Sequence, residues 1–546
     1  MAKKTNGPRP PIALNFLDRL AFSINPVRGA RRIAARAYLQ TMQNLGYVAG
    51  GDERRSMRGW ITDDKSADDT LLPELATIRS RCRDLYNNTP IATGAIKRAK
   101  TNTVGSGLAL QALINRQILE LEDDAADEWE RNTEQRFNMW ASSKDCDITR
   151  TQNFYELQGL AFVSTLLGGD CFALLPRKKR EGMDSDLRIA IFEGDFVSNP
   201  NNALDTNGLA AGIELDADGA PKAYHFSNIH PNNYTGQQIE WVKVPAYGEK
   251  SKRRQVIHLF NRERPGGRRG VPFLHSVVDS LKQLGRYSEA ELMAAVVQAF
   301  FTVFVKQSTK QNDPLQAAIA TEQKITNPDD TSRPQDYATY EMGHGNIIGL
   351  GENEEIDLAA SKHPGSNFGP FFEAVVRQIG SALEIPFEQL ILHFTASYSA
   401  ARAALLEAWK FYRHARIWLA RNFCQLIYEE WLYEEIINNR IDAPGFLENN
   451  FKRYAWLQSA WIGSGMGQID PVKESKAAAL KLDDLLTDYD TEYSLIYGGD
   501  WEAMLRRRQR QEKYIKSLNL ARAQKAAAPG AGNPDGDGKT EDTPEE

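Results

Sequence analysis

The sequence predicts an α+β fold, mainly helical, on three observations. Apolar residues recur at helical spacing through most of the chain. A block from about Cys171 to Phe260 instead carries short β-branched and aromatic runs separated by Gly, Asp and Asn. Downstream, Ser399 to about Ile437 reads as one helix, roughly 55 Å long at 1.5 Å per residue. That length suits an elongated assembly better than a globular domain.

The chain has 546 residues, enough for about three or four structural units. Its 66 basic and 72 acidic residues leave a net charge of −6. That balance opposes tight duplex binding, which favours a basic excess, but allows a protein that DNA passes by. Cys82, Cys146, Cys171 and Cys424 form no CxxC pair, so they read as reduced, buried thiols of a cytoplasmic protein. The polar start Met-Ala-Lys-Lys is no secretory signal. The most apolar run, Met293–Val305, is shorter than the roughly 20 residues of a membrane span. It reads as a helix buried in a core or against a neighbouring subunit. A soluble chain, intracellular during assembly, is expected.

Taken in order, residues 1 to about 60 are a basic, Gly/Arg-rich lead whose order depends on partners. From Leu71, the residues Leu75, Ile78, Cys82 and Leu85 share a helical face. Asn87-Asn88-Thr89-Pro90 starts a second helix ending near Gly105 and Gly107. Ile118, Leu121, Ala125 and Trp129 set a third in register, and another covers about 154–167. Gly168-Gly169-Asp170 turns into strands expected at Cys171–Leu175, Leu187–Phe192, Gly212–Leu215, Ala223–Phe226 and Val256–Phe260. The basic run Arg177–Arg180 reads as a loop tip. Asn199, Asn201 and Asn202 read as turn residues bonding the backbone. Asp216-Ala-Asp-Gly219 reads as a hairpin turn; it lacks the later ligands of a calcium loop. Pro272 opens a helix expected to reach Gln307. Residues 308–350 are polar, with Pro314, Pro328 and Pro334. A helix from Pro370 to Leu383 is stopped by Pro386. A loop at Leu390–Tyr398 leads into the long helix, and further helices reach about Ala523. The tail from Ala526 to Glu546 is acidic and expected to be disordered.

No catalytic constellation stands out. Gly532 to Thr540 is one residue too long for a phosphate loop and lies in the acidic tail. The eight histidines show no ligand spacing, and His225 with His230 is a weak pair. No catalytic residue, metal or cofactor is expected, and the chain reads as no enzyme.

Four ordered segments carry more information. They are Ser198-Asn199-Pro200-Asn201-Asn202 with the hairpin ending at Tyr224; His258-Leu259-Phe260 with Arg262, Pro265, Gly266, Arg269, Gly270 and Pro272; Leu383-Glu-Ile-Pro-Phe-Glu-Gln-Leu390 with Ser397-Tyr398-Ser399-Ala400-Ala401-Arg402 and Trp409; and Trp461-Ile-Gly-Ser-Gly465 with Ile469-Asp470-Pro471, Lys473 and Glu474. Together, from about Arg79 to Glu474, they resemble the lambda family of tailed-phage portal proteins.

The resemblance implies a ring of about twelve subunits around a DNA channel. It implies a variable basic lead (1–70), a wing (71–265), a first stem helix (266–307), a clip (308–350) and a second stem helix (351–389). A tunnel loop (390–398) follows, then the long helix and returning wing (399–485), crown helices (486–525) and the acidic tail (526–546). His393, Phe394, Thr395 and Ser397 would face DNA in the channel, against the alternative of an ordinary loop whose Ser/Thr caps the next helix. Arg506, Arg507, Arg508 and Arg510 would form a basic crown face, against the alternative of a solvated helix face. Tyr398, Arg402 and Trp409 would make a subunit-contact motif, with Arg402 read as an intersubunit salt bridge, against the alternative of a bound phosphate. The implied partners are further copies of the chain, terminase, major capsid and scaffold proteins, head–tail connector proteins and double-stranded DNA, with no membrane. The implied location is the portal vertex of the virion after assembly in the host cytoplasm. Two rivals remain, a terminase-like enzyme and a head–tail connector; connectors are usually much shorter chains.

Overall fold

A computed structural model describes residues 26–27, 62, 64–233, 238–299, 303–307, 354–358, 368–393, 397–468 and 470–517. The chain divides into two units, Met1–Ser66 and Ala67–Glu546. Nearly all described residues belong to the second, which is the subject below. The basic lead, the 308–350 segment and the acidic tail lie outside the described residues.

The second unit opens with helices α1 (Ala67–Asn88) and α2 (Pro90–Thr103), with Pro90 in the first turn of α2. Strand β1 (Ala109–Ala112) follows, then α3 (Asp123–Ser142). The single register expected through Ile118 and Trp129 is broken. Ile118 belongs to a separate turn, Arg116–Leu119, which Glu120 ends in the left-handed region at φ 58°. α3 therefore buries Ala126, Thr133, Phe137 and Trp140 and leaves Ala125 exposed. Helix α4 (Phe154–Gly168) starts in a reciprocal capping box between Asn153 and Glu156 and stops at left-handed Gly169.

The β block holds β2 (Asp170–Leu174), β3 (Ala190–Glu193), β4 (Leu209–Ala210), β5 (Ile213–Leu215), β6 (Pro221–Ser227), β7 (Trp241–Pro245) and β8 (Val256–Phe260). Its antiparallel sheets run β3-β2-β8 and β4-β5-β6-β7. The strand expected from Leu187 is shorter, because Leu187 and Ile189 make only isolated bridges. β4 and β7 were not foreseen.

Helix α5 spans Val278–Ala299, not Pro272–Gln307. The chain first makes a 3₁₀ turn at His275–Val277, and Val303–Gln307 is strand β9, paired antiparallel with β10 (Glu354–Leu358). The β-branched Val303 and Val305 and the aromatic Phe304 suit a strand better than a helix. α6 (Phe368–Ala382) packs on α5 through Leu281, Leu284, Val376 and Ile379. The rings of Phe368 and Phe371 meet Tyr287 at 5.5 and 5.1 Å.

Beyond that contact, Leu292, Met293 and Val296 on α5 are exposed. Then come α7 (Phe387–Ile391), α8 (Tyr398–Leu419), a π turn at Ala420–Cys424 and α9 (Gln425–Ile437), which together form the expected long helix. α10 (Asn450–Trp456), β11 (Ser459–Ile462), α11 (Pro471–Asp483), α12 (Tyr489–Tyr497) and α13 (Trp501–Ser517) complete the described chain.

Three apolar clusters hold the unit. One joins α3, α4 and α9 through Phe137, Phe154, Tyr428 and Trp431. A second joins α1, α2, α5, α6 and α7, and a third lies between the two sheets. β11 pairs with β1 across the chain, Ala109 opposite Ile462. On the other edge of β1, the N–H groups of Ala112 and Ile114 donate to Glu134 and Glu130 of α3, both at 2.9 Å. A sheet edge that would otherwise recruit another strand is thereby closed. Among the described residues no helix is long and apolar enough to cross a membrane.

Candidate functional site

The chain between α6 and α8 carries most of the residues singled out in the sequence. Ile385 N–H bonds back to the Gly380 carbonyl at 3.0 Å. A Cβ on Gly380 would lie 2.6 Å from the Ile385 carbonyl oxygen, so glycine permits the fold-back. Leu383 and Ile385 are buried on either side of left-handed Glu384. Pro386 precedes α7, and Leu392 ends it in the left-handed region. The motif from Leu383 to Leu390 is thus an elbow tied to the core at Leu390, with Leu392 and His393 exposed beyond it.

Ser397 accepts a long 3.4 Å bond from Ala400 N–H and caps α8. Phe394 and Thr395 lie outside the described residues. Tyr398 opens α8. Arg402, one turn later, has a carboxylate of its own chain, Glu474 of α11, at 3.8 Å.

Further along α8, Arg416 stacks over the Trp409 ring at 5.1 Å. Arg416 donates to the carbonyls of Asn102, Thr103 and Ser464 at 3.0, 3.0 and 2.9 Å. Tyr412 donates to Gln389 at 2.8 Å. These contacts fasten α8 to α2, to α7 and to the glycine turn after β11. They enclose a cleft of about 200 Å³ lined by Arg402, Trp409, Tyr412, Met466 and Gln468, among others. Among the described residues, Trp409 Nε1 and Gln468 Nε2 are buried donors without acceptors. A cleft of this kind suits an acceptor group.

The four arginines expected to form a basic face, Arg506, Arg507, Arg508 and Arg510, lie on α13. Asp500 accepts from Ala503 N–H at its start. Arg506 pairs with Glu502 and Arg508 with Glu512, each one turn away, at 3.1 and 3.0 Å. Arg507 and Arg510 are exposed. At about 100° per residue, Arg506, Arg507, Arg510 and Lys513 share one arc, and Trp501, Met504, Leu505 and Ile515 the opposite one.

The densest polar cluster is one whose members the sequence offered without a role. Asp170, fully buried at the start of β2, receives Arg79 of α1 at 2.7 Å, both Nε and a terminal nitrogen of Arg269, and His258 of β8 at 3.4 Å. Arg269 also donates to the carbonyls of Gly194, Val197 and Ala211 at 2.5, 2.9 and 2.8 Å. A Cβ on Gly194 would meet Asp170 Oδ1 at 1.9 Å, so only glycine lets the chain approach. Burial opposes the Asp170 charge, but Arg269 and Arg79 overcome it and hold the carboxyl well below the usual range. Burial pushes His258 down to about 4 despite its bond to Asp170, so the ring is neutral. It stacks between Phe172 and Phe260, each at 4.2 Å. The cluster is a structural rivet. An acidic residue in a Gly-Gly-Asp turn just before an apolar strand was the signal that could have marked it.

Within the run Arg177–Arg180, read as a loop tip, Arg177, Lys178 and Lys179 are exposed and only Arg180 departs from that reading. It is buried and donates to the carbonyls of Asp145, Asp147 and Ile148, each at 2.7 Å, while Arg177 pairs with Glu430 at 3.1 Å. Asn199 behaves as expected, accepting from Gly212 N–H and donating to the Ala203 carbonyl. Asn201 and Asn202 adopt left-handed backbone. His225 and His230 are not brought together. His225 sits 3.6 Å from Glu214.

His230, Glu193 and Asp195 make the one carboxylate–histidine group with ligand spacing found among the described residues, and Arg83 pairs with both of its carboxylates. The four thiols are free and buried, and burial pushes Cys82 up to about 11 and Cys146 and Cys171 to about 12.

Comparison with known proteins places these features in context. Residues 53–416 match the family described as phage portal protein, lambda family. The portal protein of Escherichia phage N15 is 26% identical over 498 residues, covering 87% of this chain and 91% of that protein. Portal protein B of Escherichia phage lambda is 23% identical over 495 residues, covering 88% and 92%. The probable portal protein of Halomonas phage phiHAP-1 is 24% identical over 427 residues, covering 77% of each. Among solved structures, a chain in the neck of a native gene transfer agent particle computed with C12 symmetry aligns with a TM-score of 0.37 and 11% identity, covering 78% of this chain and 94% of that one.

Proposed function

The chain belongs to the lambda family of phage portal proteins, and from that premise we propose that it works as a closed ring of about twelve identical subunits at one capsid vertex. As a portal protein it is a structural component of the virion rather than an enzyme. In the proposed ring, DNA enters during packaging and leaves during ejection through the central channel. The ring nucleates head assembly with capsid and scaffold proteins, docks the terminase, and later holds the head–tail joining proteins. ATP is hydrolysed by the terminase, and the ring needs no cofactor.

The observation that carries this reading is the family match across residues 53–416, which runs from before α1 to Arg416 near the end of α8. Three local features support it. The packed pair α5 and α6 flanks the β9–β10 pairing, which suits a stem from which residues 308–350 emerge as a clip. The exposed Leu292, Met293 and Val296 suit a head-to-tail neighbour. A net charge of −6 suits a channel that must let phosphates slide past.

Within the ring, His393, Phe394, Thr395 and Ser397 are assigned to the tunnel loop, Tyr398, Arg402 and Trp409 to subunit contact, and Arg506, Arg507, Arg508 and Arg510 to a crown face turned to DNA. The test is light scattering with negative-stain imaging of the purified protein. Rings of about a dozen subunits with a central hole are expected. A monomer that hydrolyses ATP or cuts DNA would overturn the proposal.

A further inference from the structure

We propose that the chain's own acidic tail, residues 535–546, docks on the basic arc of α13 and yields that arc to DNA; the second clause rests on the crown reading of α13 given above. α13 buries none of its residues, and from Arg507 to Ser517 every side chain is exposed. Arg506, Arg507, Arg510, Lys513 and Lys516 fall within about half of the helix circumference. Of these five cations, only Arg506 has a carboxylate partner among the described residues, the exposed Glu502. Arg506 and Arg510, Arg507 and Arg510, Arg510 and Lys513, and Lys513 and Lys516 are three or four residues apart, so like charges face each other along the arc and destabilise the helix. The arc needs countercharge.

The sequence supplies it a short way downstream. Asp535, Asp537, Glu541, Asp542, Glu545 and Glu546 stand against a single Lys539. A segment of that composition has too little apolar surface to build a core, so its carboxylates remain available to a basic partner. The reach is sufficient. The chain from Ser517 to Asp535 has a contour of about 60 Å, whereas Arg506 lies only about 17 Å back along the helix. Tethering at such a distance gives an effective concentration on the order of millimolar. The apolar stripe of Trp501, Met504, Leu505 and Ile515 lies on the other side of α13, so the docked tail leaves it untouched. The tail thus stands in for phosphates. It keeps the arc from gripping stray nucleic acid and is displaced where DNA is concentrated.

Two readouts on the full chain test this. The first is zero-length carbodiimide crosslinking, mapped by mass spectrometry, at low salt and at about 0.5 M salt, where exposed charges are screened. Crosslinks from Lys513 or Lys516 to the tail carboxylates, lost at high salt, are expected. The second is fluorescence anisotropy of a labelled short duplex. Deleting residues 526–546 should tighten DNA binding about tenfold at low salt, and the gain should vanish when Arg506→Gln, Arg507→Gln and Arg510→Gln are added. Absence of those crosslinks together with an unchanged DNA affinity on deletion would overturn the proposal. Crosslinks that form while neither full nor shortened chain binds DNA would uphold docking and remove the crown reading instead.

Discussion

A carboxylate buried as completely as that of Asp170 persists only while both of its arginines do. Asp170→Asn leaves Arg79 and Arg269 charged and under-paired, and should cost about 3–5 kcal/mol, read as a shift in urea denaturation. Its neighbour His258 makes the pH dependence testable. Its folded value, about 4, lies below the ordinary imidazole value of about 6.5. The stabilisation from the neutral ring is therefore whole above pH 6.5 and is lost as pH falls through about 4. The stability difference between the native chain and His258→Gln should shrink by about 3 kcal/mol over that window; a difference independent of pH would mean that the buried ring titrates normally. Asp170, His258 and Arg269 stand out in the sequence but are not joined by it, because His258 and Arg269 lie 88 and 99 positions from Asp170. Arg180 misled for the same reason. Three carbonyls more than 30 positions upstream make a buried clamp of the last residue of an otherwise exposed basic run.

At the scale of elements, local signals were read well wherever they were complete within one segment. Pro90 opened α2, and the Val256–Phe260 strand has the bounds its composition gave. The long helix after Ser397 was legible too, although its π turn at Ala420–Cys424 left no mark in the pattern. Elements of four or five residues were missed when their partners are distant or their alternation is weak, as with β1, β7 and β11. The α5 boundary failed because a continuous apolar run does not separate helix from strand. Caps offer the clearest test here. Asn153→Ala removes one arm of the capping box of α4 and should cost about 1 kcal/mol, with faster amide exchange in the first turn of that helix. Ser397→Ala, whose cap bond is long, should cost less.

At the scale of the whole molecule, the isolated chain leaves apolar side chains uncovered on α5, on α11 and α13, and in the turn after α11, where Leu480, Tyr514, Leu485 and Leu486 are exposed. Replacing Met293 by Lys and Val296 by Asp should leave the far-ultraviolet circular dichroism of the chain unchanged and stop ring formation in light scattering. Rings of normal size from that variant would place the subunit contact elsewhere. Family membership was legible from four short motifs; the faces that meet between subunits were not, because apolar residues look alike whether a core or a neighbour covers them.

The pairing of β1 with β11 also sets a clock. Ribosomes add about 5–20 residues per second, so the 347 positions from Ala112 to Ser459 take roughly 20–70 s to emerge. Through that interval β1 waits beside the exit tunnel without its partner strand. Glu130 and Glu134 emerge only about 1–5 s after it, soon enough to occupy one flank of the strand while many copies of the nascent chain crowd the same polysome. The two glutamates are thus available to the nascent strand long before its partner strand is.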